Sequence, residues 1–263
     1  MPDKMQYRID LKYIGAAFVG WQTQPDGGSV QDHLEDVLEK VLAENIKVIG
    51  ASRTDSGVHA ENQVASFCSG KPIDCGKLRA SLNALLPDSI GVEGISPVPE
   101  SFHAIRSARA KIYCYQIWNA PYRNPFLSPF SWQITSRLDL VAMSEASQHF
   151  VGFHNFSAFC ASDSTAKTKE RRVIEVKIQS FPNGLVQCWF VGEGFLKQMV
   201  RSIVGTLVEV GLGKREVNSI PQLIADKDRS KSGKTAPAQG LCLQRVVYES
   251  LSESSLLELY LKC

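Results

Sequence analysis

One short stretch concentrates the side chains able to do chemistry. Ala51-Ser52-Arg53-Thr54-Asp55-Ser56-Gly57-Val58-His59-Ala60 carries one carboxylate, one arginine and one histidine within seven residues. Gly57 permits a backbone bend that a branched residue resists. A carboxylate in such a loop can serve as a nucleophile or a base, but on spacing alone Asp55 reads as the cap of an Asx-type turn. Catalysis by two aspartates sharing a proton needs a second such loop. The residues before Asp55 are also polar, not the apolar strand that such a loop usually follows. Elsewhere, His149 and His154 are five apart, a poor helical ligand pair, and read as surface or packing histidines. The seven cysteines are odd in number and scattered, with no C-x-x-C, so neither a zinc knuckle nor a disulfide framework is expected. There is no Walker loop and no dinucleotide G-x-G-x-x-G.

Charge supplies the next hint. The formal net charge is only +2, but it is unevenly spread. Residues 1–100 hold nine basic against fourteen acidic side chains, and residues 101–263 hold twenty against thirteen. Arg106, Arg109, Lys111 and Arg123 lie in an acid-free run, and Lys167, Lys169, Arg171, Arg172 and Lys177 form a second cluster. Such clusters meet a polyanion, most plausibly nucleic acid, or form a solvated basic face.

The elements that must position these residues are legible from periodicity. Residues 6–13 alternate, with Tyr7, Ile9, Leu11 and Tyr13 on one face of a strand. Ser29-Val30-Gln31-Asp32 reads as a capping box, followed by Val30, Leu34, Val37, Leu38 and Val41 at helical spacing. Strands are expected at 46–51, 63–69 and 90–98, and a helix at 76–86 with Leu78, Leu82, Leu85 and Leu86 on one side. That order, β-α-β-β-α-β, is a split βαβ half. The second half predicts strands at 107–119, 171–181, 185–193 and 241–249. Pro182-Asn183-Gly184 is the turn between the middle two. Helices are expected near 138–150, 195–210, 214–225 and 254–262. Residues 227–240, rich in Lys, Ser and Gly, read as a mobile loop. The result is an α+β protein of two halves, 1–105 and 106–263, sharing a sheet. No apolar run reaches the ~20 residues of a membrane span, and Met1-Pro2-Asp3-Lys4-Met5 has no apolar signal region. The expected setting is a reducing cytoplasm.

Four ordered segments carry a resemblance. Arg53-Thr54-Asp55-x-Gly57-Val58-His59-Ala60 is similar to the signature loop of the tRNA pseudouridine synthase A family. Phe102-His103-Ala104 with Ala108…Lys111-x-Tyr113-x-Tyr115 resembles that family's second motif. Phe195-Leu196-x-x-Met199-Val200-Arg201-x-Ile203-Val204-Gly205 resembles its third, and Thr235-Ala236-Pro237-x-x-Gly240-Leu241-x-Leu243 its fourth. The resemblance implies the pseudouridine synthase fold of two split-βαβ (RRM-like) halves sharing a mostly antiparallel central sheet, with flanking helices and a central cleft. It implies isomerisation of uridines at tRNA positions 38, 39 and 40, in the anticodon stem-loop, by a homodimer that reads RNA shape. The reaction breaks N1–C1′, turns the uracil and makes C5–C1′, so neither a redox cofactor nor a metal is implied.

By the same resemblance Asp55 is the catalytic carboxylate, attacking C1′ or abstracting the 2′-proton. Burial alone would raise its pKa and an adjacent cation oppose that, and Arg201 is the matching residue, expected to pair with it. Tyr113 stacks on the uracil, Arg53 fills the space left by the flipped base, and Leu241 walls the pocket. His59 and His103 shape loops or touch RNA, while Arg106, Arg109, Lys111, Lys167, Lys169, Arg171 and Arg172 meet phosphates.

Several positions depart from the family pattern: Ser52 for Gly, Ser56 for Ala, Ile105 for Arg with Arg106 next, Cys160 for Arg, Gln198 for His and Cys242 for Tyr. The strand period is two, so the one-residue move of charge from 105 to 106 points it to the opposite face. Two rival functions are a non-catalytic tRNA-binding or RNA-chaperone module on the same fold, and a hydrolase using Asp55 and His59, for which no nucleophile–base–orienter set is visible.

Overall fold

The computed structural model describes residues 5–249. They form two compact units that divide at Arg109/Ala110, four residues beyond the expected boundary; Leu243–Tyr248 returns to the first unit.

The first unit is built on β1 (Met5–Tyr13), whose alternation buries Tyr7, Ile9, Leu11 and Tyr13. It pairs antiparallel with β3 (His59–Ser69) on one side and β4 (Ile90–Val98) on the other. The short β2 (Ile49–Gly50) pairs β3, and β10 (Leu241–Val247) lies beside β3. Helix α1 (Val30–Leu42) opens with the expected capping box: the Ser29 hydroxyl accepts from Asp32 N at 3.0 Å, and the Asp32 carboxylate accepts from Ser29 N at 3.0 Å. Such a cap is worth about 1 kcal/mol. Glu35 on α1 accepts from Lys47 Nζ (2.8 Å), Val48 N (2.9 Å) and Gln31 Nε2 (2.8 Å). These bonds tie the chain entering β2 to the helix. Helix α2 (Cys75–Leu85) buries Leu78 and Leu82, but Leu85 is 57% exposed. The helix ends at Leu85, and the extended backbone of Leu86 turns that side chain inward instead.

The second unit runs through β5 (Ala110–Asn119), β6 (Trp132–Ile134), α3 (Leu140–Gln148), β7 (Gly152–Asn155), β8 (Glu170–Ser180), β9 (Leu185–Gly192), α4 (Met199–Gly211) and α5 (Ile220–Asp226). Its strands order β5-β9-β8-β7, all antiparallel, with β6 parallel to β5. The turn at Pro182-Asn183-Gly184 closes β8 on β9 with Gly184 at φ +93°.

Helix α4 is buried on every side except at Arg201 and Glu209, as befits a helix apolar all round. It begins at Met199, four residues later than its apolar pattern suggests, because Gln198 adopts a left-handed conformation (φ 61°). The helix expected from 214 begins only at Ile220, after a 3-10 turn at Val217–Ser219.

Residues 227–240 are not a loose loop. They contain 3-10 turns at Arg229–Lys231 and Ala238–Gly240. The Arg229 guanidinium donates to Ser232 Oγ, Gly233 O and Thr235 Oγ1. Gly233 N donates to Thr206 Oγ1 at 2.9 Å. The glycines that suggested mobility serve close approach: a Cβ at Gly233 would stand 2.7 Å from the Thr206 backbone. The helix expected at 254–262 lies outside the described residues. No helix among the described residues is long and apolar enough to cross a membrane.

Candidate active site

In the first unit, the chain leaves β2, passes Ser52–Gly57 and enters β3 at His59. Its side chains alternate: Ser52 and Thr54 are buried, Arg53 is exposed between them, and Asp55 is half-buried. Gly57, at φ +80°, makes the bend, and Val58 N donates to Asp55 O at 3.1 Å. The segment after β1 buttresses the loop from outside. Trp21 N donates to Thr54 O (3.1 Å), Gly20 forms a β-bridge with Asp55, and Ser56 Oγ donates to Phe18 O (3.3 Å). Gly15 sits so close that a Cβ there would lie 2.0 Å from Val58 O.

His59 is buried, and its Nδ1 accepts from Gly15 N at 3.1 Å. That bond requires Nδ1 to be unprotonated, so the imidazole shapes the loop. Beneath the loop lie Tyr13 and Gln63, neither singled out by sequence. Tyr13 Oη is 2.7 Å from Thr54 Oγ1, and Gln63 bonds both Ser52 N and Ser52 O.

His103 stands in a turn. Its Nδ1 accepts from Ile105 N (3.1 Å) and Arg106 N (3.4 Å), and its own N–H donates to Ser107 Oγ (3.0 Å). Because 101–107 is turn and not strand, strand parity does not apply, and Ile105 and Arg106 are both exposed. The turn is anchored by Tyr248. Its hydroxyl donates to Ala104 O (2.7 Å), its ring packs on Phe102 (5.1 Å), and Arg8 lies over it at 4.9 Å.

In the second unit, Lys111, Tyr113 and Tyr115 share one face of β5. Tyr113 is 5% exposed and meets the edge of Phe195 at 5.3 Å between centroids. Phe195 entered the sequence reading only as a motif marker; here it fixes the tilt of the Tyr113 ring. Its ring also passes close over Gly192, where a Cβ would be 2.9 Å from Cζ. Tyr115 is fully buried and donates to Pro237 O at 2.8 Å, while Gly240 leaves room for its ring. Burial pushes the Tyr115 phenol far above its ordinary range, the Arg201 guanidinium opposing. Arg201 is half-buried near the start of α4. Its Nε donates to Ala236 O (2.8 Å), and its carbonyl accepts from Ala236 N (3.1 Å), so the third and fourth motif segments are tied together. Leu241 is buried where β10 begins.

Among the basic positions, Lys167 and Arg172 are exposed. Arg171 donates to Glu170 O and Thr168 O. Lys169 is turned inward, to Ser164 O (3.2 Å) and Cys160 Sγ (3.5 Å). Burial, with Arg171 adding repulsion, pulls the Lys111 ammonium down to about 8. A separate cleft of about 590 Å³ is lined by residues that include Trp132, Val208, Glu209, Lys214 and Lys234. None of the expected site residues lines it.

Comparison with known proteins completes the picture. A family model described as tRNA pseudouridine synthase matches residues 11–106 and 146–249. A protein of Pelobacter propionicus named tRNA pseudouridine synthase A is 42% identical over 241 residues, covering 92% of this chain and 98% of that protein. One of the same name from Geotalea uraniireducens is 42% identical over 243 residues, covering 92% and 99%. A Bacillus cereus protein named tRNA pseudouridine synthase A 2 is 39% identical over 243 residues, with the same coverage.

Proposed function

The chain belongs to the tRNA pseudouridine synthase family, and we propose that its isomerisation of uridine in tRNA is centred on Asp55 and directed at positions 38, 39 and 40 of the anticodon stem-loop. The observation that carries the reading is the build of the Asp55 loop. It is fastened from outside by the Gly15–Trp21 segment and from inside by Tyr13 and Gln63, yet leaves Asp55 half-buried and Arg53 exposed. A carboxylate that must act on a sugar needs such fixed aim.

In this reading Asp55 attacks C1′ or takes the 2′-proton, and Arg201 is the cation that the family resemblance pairs with it. Tyr113 stacks on the uracil, its ring held by Phe195. Arg53 occupies the gap left by the flipped base, a role its exposure suits. Leu241 contributes apolar wall. His103 sets the turn that presents Arg106. The isomerisation involves no net oxidation or reduction and transfers no phosphoryl group, so it calls for neither a redox cofactor nor a metal. The enzyme acts as a homodimer in the cytoplasm, a reading that rests on the family resemblance.

The test uses unmodified transcripts labelled with tritium at C5 of uridine and retaining uridine at only one of positions 38, 39 or 40. Release of tritium from each transcript is expected, and release from none would overturn the assignment of target sites. Phosphate contacts are tested separately. The Arg171→Ala/Arg172→Ala enzyme is expected to bind tRNA more weakly, with the slope of log K against log salt reduced by roughly 1–2. An unchanged slope would remove both residues from the phosphate surface.

A further inference from the structure

Gln63 is a primary amide with 0% exposure, in a strand where Val64 and Ala65 are equally buried. A buried amide is tolerated only where its donors and acceptor are met. Here they are met by the Asp55 loop. Ser52 N donates to Gln63 Oε1 at 3.1 Å, and Gln63 Nε2 donates to Ser52 O at 2.7 Å. Both bonds fall on one residue, so they fix its tilt as well as its position.

The second Nε2 hydrogen goes to Tyr13 Oη at 3.3 Å, and Tyr13 Oη lies 2.7 Å from Thr54 Oγ1. The phenol oxygen accepts from Gln63 and shares a second hydrogen bond with the Thr54 hydroxyl, so the chain links amide, phenol and threonine hydroxyl. Such a chain polarises each of its bonds. Its two ends grip Ser52 and Thr54, which flank the exposed Arg53 and immediately precede Asp55.

We propose that Gln63 and Tyr13 are positioning residues for the isomerisation, setting the aim of Asp55 and the outward thrust of Arg53 by clamping Ser52 and Thr54 from within. The inference rests on the reading of Asp55 as the catalytic carboxylate. The energetic logic is one of geometry. Thr54 and Tyr13 touch no reacting atom in this scheme, yet a displacement near 1 Å at a reacting group costs on the order of a hundredfold in rate. Loss of the clamp therefore lowers kcat, while tRNA affinity, supplied by the basic surface, stays.

The decisive variants are those that keep volume. Thr54→Val removes only the hydroxyl, Tyr13→Phe only the phenolic oxygen, and Thr54→Ser restores a hydroxyl. Gln63→Met strips both partners from Ser52 and serves as the extreme case. The full chain is measured in single-turnover tritium release, with tRNA Kd and thermal midpoint recorded for each variant. Thr54→Val and Tyr13→Phe are expected to lose about 10- to 100-fold in rate at a Kd within twofold of wild type. Thr54→Ser should recover to within a few-fold. The double variant Tyr13→Phe/Thr54→Val should be little worse than either single, because the two act through one bond.

Wild-type rates in both single variants would overturn the proposal. So would a loss in Thr54→Val that Thr54→Ser does not rescue, or losses that merely follow the thermal midpoint. Asp55→Asn, run alongside, separates the two levels. If it turns over normally, the catalytic reading itself fails. If it is dead while Thr54→Val and Tyr13→Phe run at full rate, only the clamp fails.

Discussion

Asp55→Asn is expected to turn over tRNA at least about a thousandfold more slowly than wild type, with its tRNA Kd staying within about threefold. A thousandfold corresponds to ~4 kcal/mol of barrier. The amide has the carboxylate's shape but neither attacks C1′ nor accepts a proton well. The loop itself should survive the change. Two backbone bonds at residue 55 are untouched by the change: Val58 N donates to its carbonyl and Gly20 bridges to its main chain. Affinity should survive because exposed cations such as Arg172, Lys167 and Arg106 lie elsewhere in the chain. Tritium release from C5 under single-turnover conditions reports the rate, and filter binding reports affinity. Near-normal turnover would remove Asp55 from the chemistry altogether.

Gly205→Ala is expected to lower the thermal midpoint by roughly 5–10 °C and to depress activity with it. Alanine is the better helix former by about 1 kcal/mol, so helix propensity alone predicts the opposite sign. Packing decides. A Cβ at Gly205 would stand 1.7 Å from Lys234 O, a backbone atom with no flexible side chain to give way. Neighbouring Gly233 is equally pressed against Thr206, so the segment has no slack. Overpacking of this kind costs about 1–3 kcal/mol or more, and a domain of this size loses about 2–4 °C per kcal/mol. Activity follows because the displaced segment includes Ala236, whose carbonyl accepts from Arg201 Nε. Gly76→Ala is the control: it lies within α2, and its new Cβ meets nothing nearer than Asp74 Oδ1 at 3.5 Å. It should leave the midpoint unchanged or slightly higher. A Gly205→Ala protein as stable as wild type would mean that residues 233–236 do not lie against α4.

Much of the fold was legible because it follows local periodicities. β1 alternates because one of its faces is buried, β4 lies at the expected 90–98, and the capping box at Ser29 marks where α1 begins. What escaped was decided by partners distant in sequence. β6 and β7 are three and four residues long, too short for a period, and exist because β5 and β8 offer them an edge. The apolar run from Phe195 looks helical throughout, but the left-handed Gln198 delays the start to Met199. Residues 227–240 have the composition of a loose loop and the contacts of a packed one.

At the site, the identities of Asp55, Tyr113 and Arg201 came from motif resemblance. Composition and spacing alone left Asp55 as a turn cap. Gln63 and Tyr13 were invisible as functional residues because their meaning lies in a pairing across 50 positions of sequence.

The strand that finishes the first unit is made after the whole of the second. β10 lies beside β3, yet nearly all of it belongs to a segment that begins at Leu243, after the whole of the second unit. A growing polypeptide therefore carries an edge of β3 that only the two-residue β2 partly covers while residues 110–242 are synthesised, on the order of ten seconds at ribosomal speed. An unpaired strand edge is a template for unwanted partners, so the first half of this protein is the part most in need of protection during translation. The same geometry gives the molecule a checkpoint: a chain truncated ahead of Leu243 lacks the strand that completes its first sheet.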